Sequence, residues 1–355
     1  MVDLRRMATL ITLLALVALG GCREGPDATS DVEAEIVVDE PAGPATERSV
    51  MVLCYHAMSP GATAFYDVPT EDFAEQLALL DERGYESVLP SEIADYLEGR
   101  SDLPERAVCF TFDDNHASIL TESKPLMDRY GYTGVAFLIT DSVGARGSLT
   151  WDQVRELQQA GWEIGSHSHS HERLTRLSPG EIEADLRKSK AAVEEQIEGE
   201  CVSLAYPYGL YDRSIVEFTG EAGYRVAFTI DRGPADWTDD PLLLPRQMVV
   251  NGNSIDTFGR WLDQEKLHFA EIDPPIGQGV DLATPAVTAR LADDGVAVNA
   301  LEVSVDGRPV AYEADEDARE LTFSPELNEG ANNLRVNYYG TPRREVSWVI
   351  IHEPN

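Results

Sequence analysis

From residue 50 to about 269, short apolar runs alternate with amphipathic stretches, and this alternation restricts the fold more than any other feature. The runs cover residues 50–55, 107–112, 134–140, 163–167, 202–206, 225–230 and 244–250. Helix signatures separate them. Thr70 opens a segment with Phe73, Leu77 and Leu80 on one face and Gly84 beyond its end, and Ser178-Pro179-Gly180-Glu181 is a capping box with proline at the first helical position. Strand and helix in alternation imply a mostly parallel sheet. Seven strands, each feeding polar residues in at its C-terminal end, point to a distorted (β/α)7 barrel within the α/β class. Such barrels carry their chemistry at those ends.

The pattern changes near Asp273-Pro274-Pro275. Alternating runs follow at 286–291, 300–305, 320–323, 333–339 and 346–351, separated by Asp293-Asp294-Gly295, Asp306-Gly307 and Asn328-Glu329-Gly330. This reads as an all-β, immunoglobulin-like sandwich over residues 271–355, after an α/β domain over 49–270. A packing role for it and a carbohydrate-binding role are equally open.

At the other end, Arg5 and Arg6 precede an apolar stretch from Met7 to Leu19, too short to span a bilayer comfortably. It closes on Leu19-Gly20-Gly21-Cys22, which resembles a bacterial lipoprotein box. That resemblance implies a signal peptide over 1–22, lipidation of Cys22, and an exported protein anchored to a membrane of the cell envelope. Residues 23–48 are rich in Asp, Glu, Pro, Ala and Thr and read as a disordered acidic tether. Cys54, Cys109 and Cys201 sit in apolar runs and read as buried thiols, although export permits one disulfide.

Acidic residues outnumber basic ones 63 to 28, for a net charge of −35 spread along the whole chain. Such a charge argues against nucleic acid and anionic lipid surfaces as partners. Adaptation to high salt explains it most simply, and attraction of a cationic polymer is the alternative.

Two adjacent carboxylates, Asp113 and Asp114, close the 107–112 run, and His167-Ser168-His169-Ser170-His171 closes another. Neighbours at a strand end point to opposite sides, so one aspartate can bind a metal while the other serves as a base. His167 and His171 would complete an Asp-His-His set with coordination positions left for water and substrate. A non-haem iron oxygenase uses a similar set, but on an antiparallel double sheet that the alternation here does not support.

The residues resemble the polysaccharide deacetylases, carbohydrate esterase family four, also called the NodB-homology domain. Thr111-Phe112-Asp113-Asp114-Asn115 matches the family's TFDDG, His167-Ser168-x-x-His171 its H-[S/T]-x-x-H, and Tyr206-Pro207-Tyr208-Gly209 the end of its third motif. Val52-Leu53-Cys54-Tyr55-His56, the helix from Thr70 and Leu103-Pro104 look like the branch that N-deacetylates poly-β-1,6-N-acetylglucosamine, a biofilm polymer. The resemblance covers roughly residues 50–265. It implies a divalent metal, zinc foremost, on Asp114, His167 and His171, with Asp113 as catalytic base. A backbone N–H near Tyr208 would serve the oxyanion, Ser168 would orient the site, and His56 and Asn115 would lie at the groove. The implied partner is an N-acetylated polysaccharide, acted on by a monomer. Peptidoglycan, chitin-like oligomers and acetylxylan are alternative substrates, and a non-catalytic glycan-binding lipoprotein is the alternative of another class.

Three positions depart from the family. Asn115 replaces glycine, Ala205 stands where many relatives place an arginine that holds the base, and the late Leu-x-His motif that supplies a general acid is not evident. Among the other histidines, His169 should point away from the metal, His116 could line the groove, and His268 and His352 read as surface residues. Asp236-Trp237 reads equally as a groove wall or as a core tryptophan beside a loop charge.

Overall fold

A computed structural model of the chain describes residues 44–353. The signal segment, Cys22 and the tether up to residue 43 lie outside the described residues. The stretch read as tether nevertheless ends in an ordered anchor, because the Arg48 N–H donates to the Tyr96 hydroxyl (2.7 Å) and that hydroxyl donates to the Thr46 carbonyl (2.8 Å). No described helix is long and apolar enough to cross a membrane.

Six parallel strands stand side by side in chain order: β1 (Ser49–Tyr55), β2 (Ala107–Phe112), β3 (Gly134–Leu138), β4 (Glu163–Ser166), β5 (Ser203–Ala205) and β6 (Val226–Phe228). The sheet then curls back on itself. Leu244 bridges to Phe228 of β6, and β7 (Gln247–Met248) pairs with Leu53 and Cys54 of β1, all in parallel sense. The closure is consistent with a distorted barrel.

Alternation along the strands sorts their side chains into two layers. Met51, Leu53, Tyr55, Val108, Phe110 and Phe112 face outward and pack with Phe73, Leu77 and Leu80 of α1 (Thr70–Glu82). The intervening Val50, Val52, Cys109, Val135, Phe137, Ala205 and Phe228 fill the interior. Both faces are therefore buried, which is why the strands read as continuous apolar runs. Ile93, Ala94 and Tyr96 of α2 (Pro90–Leu97) join the interior set, and Arg225, just before β6, reaches Asp95 (2.6 Å) and Glu98 (3.0 Å) beneath it. That end of the barrel is filled, and the other is left open. Around the outside run α3 (Trp151–Gln159), α4 (Pro179–Glu194), α5 (Arg213–Glu221) and α6 (Ile255–Leu262). Glu181 accepts from the Ser178 N–H (2.9 Å), as the capping box requires. Cys54, Cys109 and Cys201 are buried free thiols.

The C-terminal part is all-β. One sheet orders β8 (Phe269–Asp273), β9 (Val287–Leu291), β13 (Glu320–Phe323) and β12 (Tyr312–Asp315). The other contains β15 (Arg344–His352), β14 (Gly330–Tyr338), β10 (Leu301–Val305) and β11 (Arg308–Val310). Three of these strands, β8, β11 and β12, were not evident in the sequence. They lie at sheet edges and carry mostly half-buried or exposed residues, so no apolar alternation marks them.

β15 explains why the described residues form one compact unit. Its Trp348 and Ile350 enter the sandwich core, while Val349 and Ile351, pointing the other way, enter the outer layer of the barrel. His352 ends this strand and is buried, not at the surface as its position outside any motif suggests.

His268 also departs from its expected surface role. Its ring is held between Asp236 (Nε2 to Oδ2, 2.6 Å) on the barrel side and Asp293 (Nδ1 to Oδ1, 2.9 Å) on the sandwich side. Hydrogen bonds to Asp236 and then Asp293 raise its pKa from 6.5 to about 9. The protonated form donates at both nitrogens and so favours the folded state. A raised folded pKa adds stability that is full below pH 6.5 and is lost as pH rises through about 9. Allowing for the ring's partial exposure, the contribution is on the order of 2 kcal/mol. Chemical denaturation at pH 6 and pH 10 should therefore show a larger loss for the native chain than for His268→Ala. Equal losses would contradict the bridge.

Candidate active site

The open end of the barrel gathers the sequence motifs at one point. β2 ends at Phe112, and the Asp113 N–H donates to the Tyr55 carbonyl (2.9 Å) as a last rung of pairing. Asp114 and Asn115 then take left-handed backbone conformations, with φ of 66° and 43°. That turn swings the Asp114 carboxylate outward and leaves the Asp113 carboxylate buried. Asparagine tolerates this conformation better than most residues. Asn115 itself is buried and lies behind the groove, not in it. Its Oδ1 accepts from the Ile139 N–H (3.3 Å), so its work is to fix the turn to β3.

The histidine segment leaves β4 in a similar way. Ser168 and His171 have φ of 66° and 56°. The Ser168 hydroxyl accepts from the His171 N–H (2.9 Å), and Asp185 of α4 accepts from the N–H groups of His169 (2.7 Å) and Ser170 (3.0 Å). Asp185 was not singled out from the sequence, and a helix carboxylate with buried character is the signal it offered. The wound loop brings His167 and His171 to one side and turns His169 to Thr140 (Nδ1 to Oγ1, 2.9 Å) and Asp141.

Asp114, His167 and His171 fit a divalent cation. Asp114 Oδ1 lies 3.6 Å from His167 Nε2 and 3.4 Å from His171 Nε2. Ligands of a tetrahedral ion at about 2.1 Å stand about 3.4 Å apart. Asp114 Oδ1 is buried with no hydrogen-bond partner, as an atom reserved for an ion would be. His167 Nδ1 lies 2.7 Å from the Ala205 carbonyl, which fixes that nitrogen as the donor and leaves Nε2 free to ligate. Burial lowers the His167 pKa, with Asp113 and Asp114 opposing, and keeps the ring available as a neutral ligand.

A second group of ligand-type residues, Cys54, His56 and Asp113, adjoins the first. It suits a cation poorly. Burial pushes the Cys54 thiol far up, and Asp113 already carries a positive partner.

That partner is Arg246, from the closing segment at β7. Its Nη1 and Nη2 donate to Asp113 Oδ1 (2.8 Å) and Oδ2 (2.9 Å), its Nε to the Thr229 carbonyl (2.8 Å) and Nη1 also to Thr111 Oγ1 (3.1 Å). Burial would raise the Asp113 pKa, but Arg246 and then His167 outweigh it and hold the carboxyl well below the usual range. Asp113 is thus an oriented anion at any ordinary pH. Ala205 stands in the usual place of the arginine and gives Asp113 no such partner. The support comes instead from another strand, and the clue was an arginine inside the 244–250 run, where burial demands a carboxylate.

A cavity of about 450 Å³ opens over these groups, within the range of small-ligand sites. His56, His116 and Tyr208 line it. His56 Nδ1 is buried without a hydrogen-bond partner. Tyr208, at φ 61°, lays its ring 4.8 Å from that of His171. Gly209 must follow it, since a Cβ there would come within 2.2 Å of Ile230. Trp237 lines a different cavity, at the seam with the sandwich, and neither it nor Asp236 is a wall of this groove.

The sequence profile of the polysaccharide deacetylase family matches residues 100–227. Bacillus subtilis YxkH, which carries a polysaccharide deacetylase name, is 27% identical over 236 residues, 66% of this chain and 82% of its own. The poly-β-1,6-N-acetyl-D-glucosamine N-deacetylase of Staphylococcus aureus is 23% identical over 210 residues, 55% of this chain and 72% of its own. Among solved structures, IcaB from Ammonifex degensii superposes with a TM-score of 0.55 at 27% identity, covering 61% of this chain and 97% of that one. The Streptococcus pyogenes deacetylase PplD shares the fold, with a TM-score of 0.58 at 23% identity over 61% of this chain and 99% of that one. With both motifs converging at the open end of the barrel, the chain carries a polysaccharide deacetylase domain, of a family of hydrolases acting on amide bonds.

Proposed function

We propose that the chain N-deacetylates poly-β-1,6-N-acetylglucosamine with one zinc ion held by Asp114, His167 and His171. The observation that carries this reading is the buried Asp113–Arg246 pair set directly beside that trio. The similarity to the staphylococcal enzyme and to IcaB supports the substrate. A divalent ion bound there would acidify a water and polarise the acetamide carbonyl.

The protein groups supply the rest. Asp113 accepts the proton of the attacking water, and Arg246 keeps it ionised and aimed. A backbone N–H near Tyr208 steadies the negative charge that develops on the carbonyl oxygen. As the carbon–nitrogen bond breaks, the leaving amine needs a proton. His56, in the same cavity and within 4.8 Å of Asp113, is placed to give it. Acetate and a free amine result.

The lipobox-like Leu19-Gly20-Gly21-Cys22 supports export and anchoring through a lipidated Cys22, with the enzyme a monomer on the envelope. The sheet orders β8-β9-β13-β12 and β15-β14-β10-β11 support an immunoglobulin-like topology for the sandwich.

Acetate release from defined oligomers tests the substrate. β-1,6-linked N-acetylglucosamine oligomers should release it faster than β-1,4-linked ones, which present neighbouring sugars at another angle. Equal or faster release from chitin oligomers or peptidoglycan would overturn the linkage while leaving the deacetylase chemistry standing.

A further inference from the structure

Six large apolar side chains are well exposed among the described residues, and three of them, Phe65, Tyr66 and Tyr208, line the catalytic cavity. Phe65 is 61% exposed and Tyr66 50%. Leaving two adjacent aromatic rings in water forgoes burial that the same loop could have gained by folding inward. The loop is not loose. The Asn251 N–H donates to the Phe65 carbonyl (3.0 Å), Asn251 Nδ2 to the Ala62 carbonyl (2.8 Å), and the Val68 N–H to the Ala57 carbonyl (3.0 Å).

The rings also brace one another. Phe65 meets Tyr66 edge-on with centroids 4.9 Å apart, and Tyr66 lies 5.0 Å from the His56 ring. A rigid aromatic wall therefore stands on the His56 side of the metal trio. Tyr208, against His171 and beneath Arg173, marks the other side. A pyranose ring presents a face of C–H groups that packs on such a surface.

We propose that Phe65 and Tyr66 form a platform for the sugar next to the one being deacetylated. The inference rests on the proposed polysaccharide reading and adds where its neighbouring sugar sits. Asn251 is a positioning residue for the platform.

Steady-state acetate release from β-1,6-linked N-acetylglucosamine dimers to hexamers tests it. Phe65→Ala should raise KM for the hexamer about tenfold and for the dimer less than twofold, with kcat for both lowered less than threefold. Phe65→Trp should restore the hexamer KM, and Leu282→Ala, which removes an exposed side chain far along the chain in the C-terminal part, should leave it unmoved. A Phe65→Ala effect equal at all lengths, or no rescue by tryptophan, overturns the platform while the polysaccharide reading stands. No acetate release from any oligomer by the native enzyme overturns both.

Discussion

Asp113→Asn should lower turnover by on the order of 10²–10⁴-fold while the protein keeps its metal. Asparagine has the shape of aspartate but cannot accept the proton of the attacking water. The proposed metal set does not include Asp113, whose oxygens are instead taken up by Arg246. The variant should also be less stable, because a fully buried guanidinium would lose its counter-charge. Measuring kcat, metal content and thermal midpoint on one preparation separates these effects. Loss of metal with the substitution would mean that Asp113 and Asp114 have exchanged roles.

Arg246→Ala should be the most destabilising substitution at the site. Arg246 is about 1% exposed and makes four hydrogen bonds to Asp113, Thr111 and the Thr229 carbonyl. Removing one partner of a buried ion pair costs about 3–5 kcal/mol, since the remaining charge is stranded. Turnover should fall as well, because Asp113 loses both its orientation and the charge that keeps it ionised. Arg246→Lys should recover little of either, as an ammonium cannot make the two parallel bonds of the guanidinium fork. Denaturant unfolding with parallel acetate assays checks this, and a loss under 1 kcal/mol with turnover intact would contradict the role given to Arg246.

The barrel was legible because its strands are buried on both faces and so appear as unbroken apolar runs, as in β2, where every residue is buried. The Asp114, His167 and His171 cluster was legible because two short motifs carry it, and a five-residue loop brings His167 and His171 together without help from distant sequence. Arg246 escaped because its partner lies 133 residues away, and only the closure of the sheet brings the two together. The same holds for His268 and His352. Each sits in an undistinguished local context and is covered by elements from elsewhere, Asp236 and Asp293 for one and the β14–β15 pairing for the other. The edge strands β11 and β12 escaped for the opposite reason, since solvent on one side leaves no apolar period to read. Phe65 and Tyr66 carried no motif at all. Their place over the cavity depends on Asn251, far along the chain.

Metal stoichiometry in the purified protein and two histidine variants tests the central assignment most directly. The native chain should hold one divalent ion, His171→Ala should lose it together with acetate release, and His169→Ala, whose ring is turned to Thr140, should retain it. Retention of the ion in His171→Ala with loss in His169→Ala would contradict the site described here.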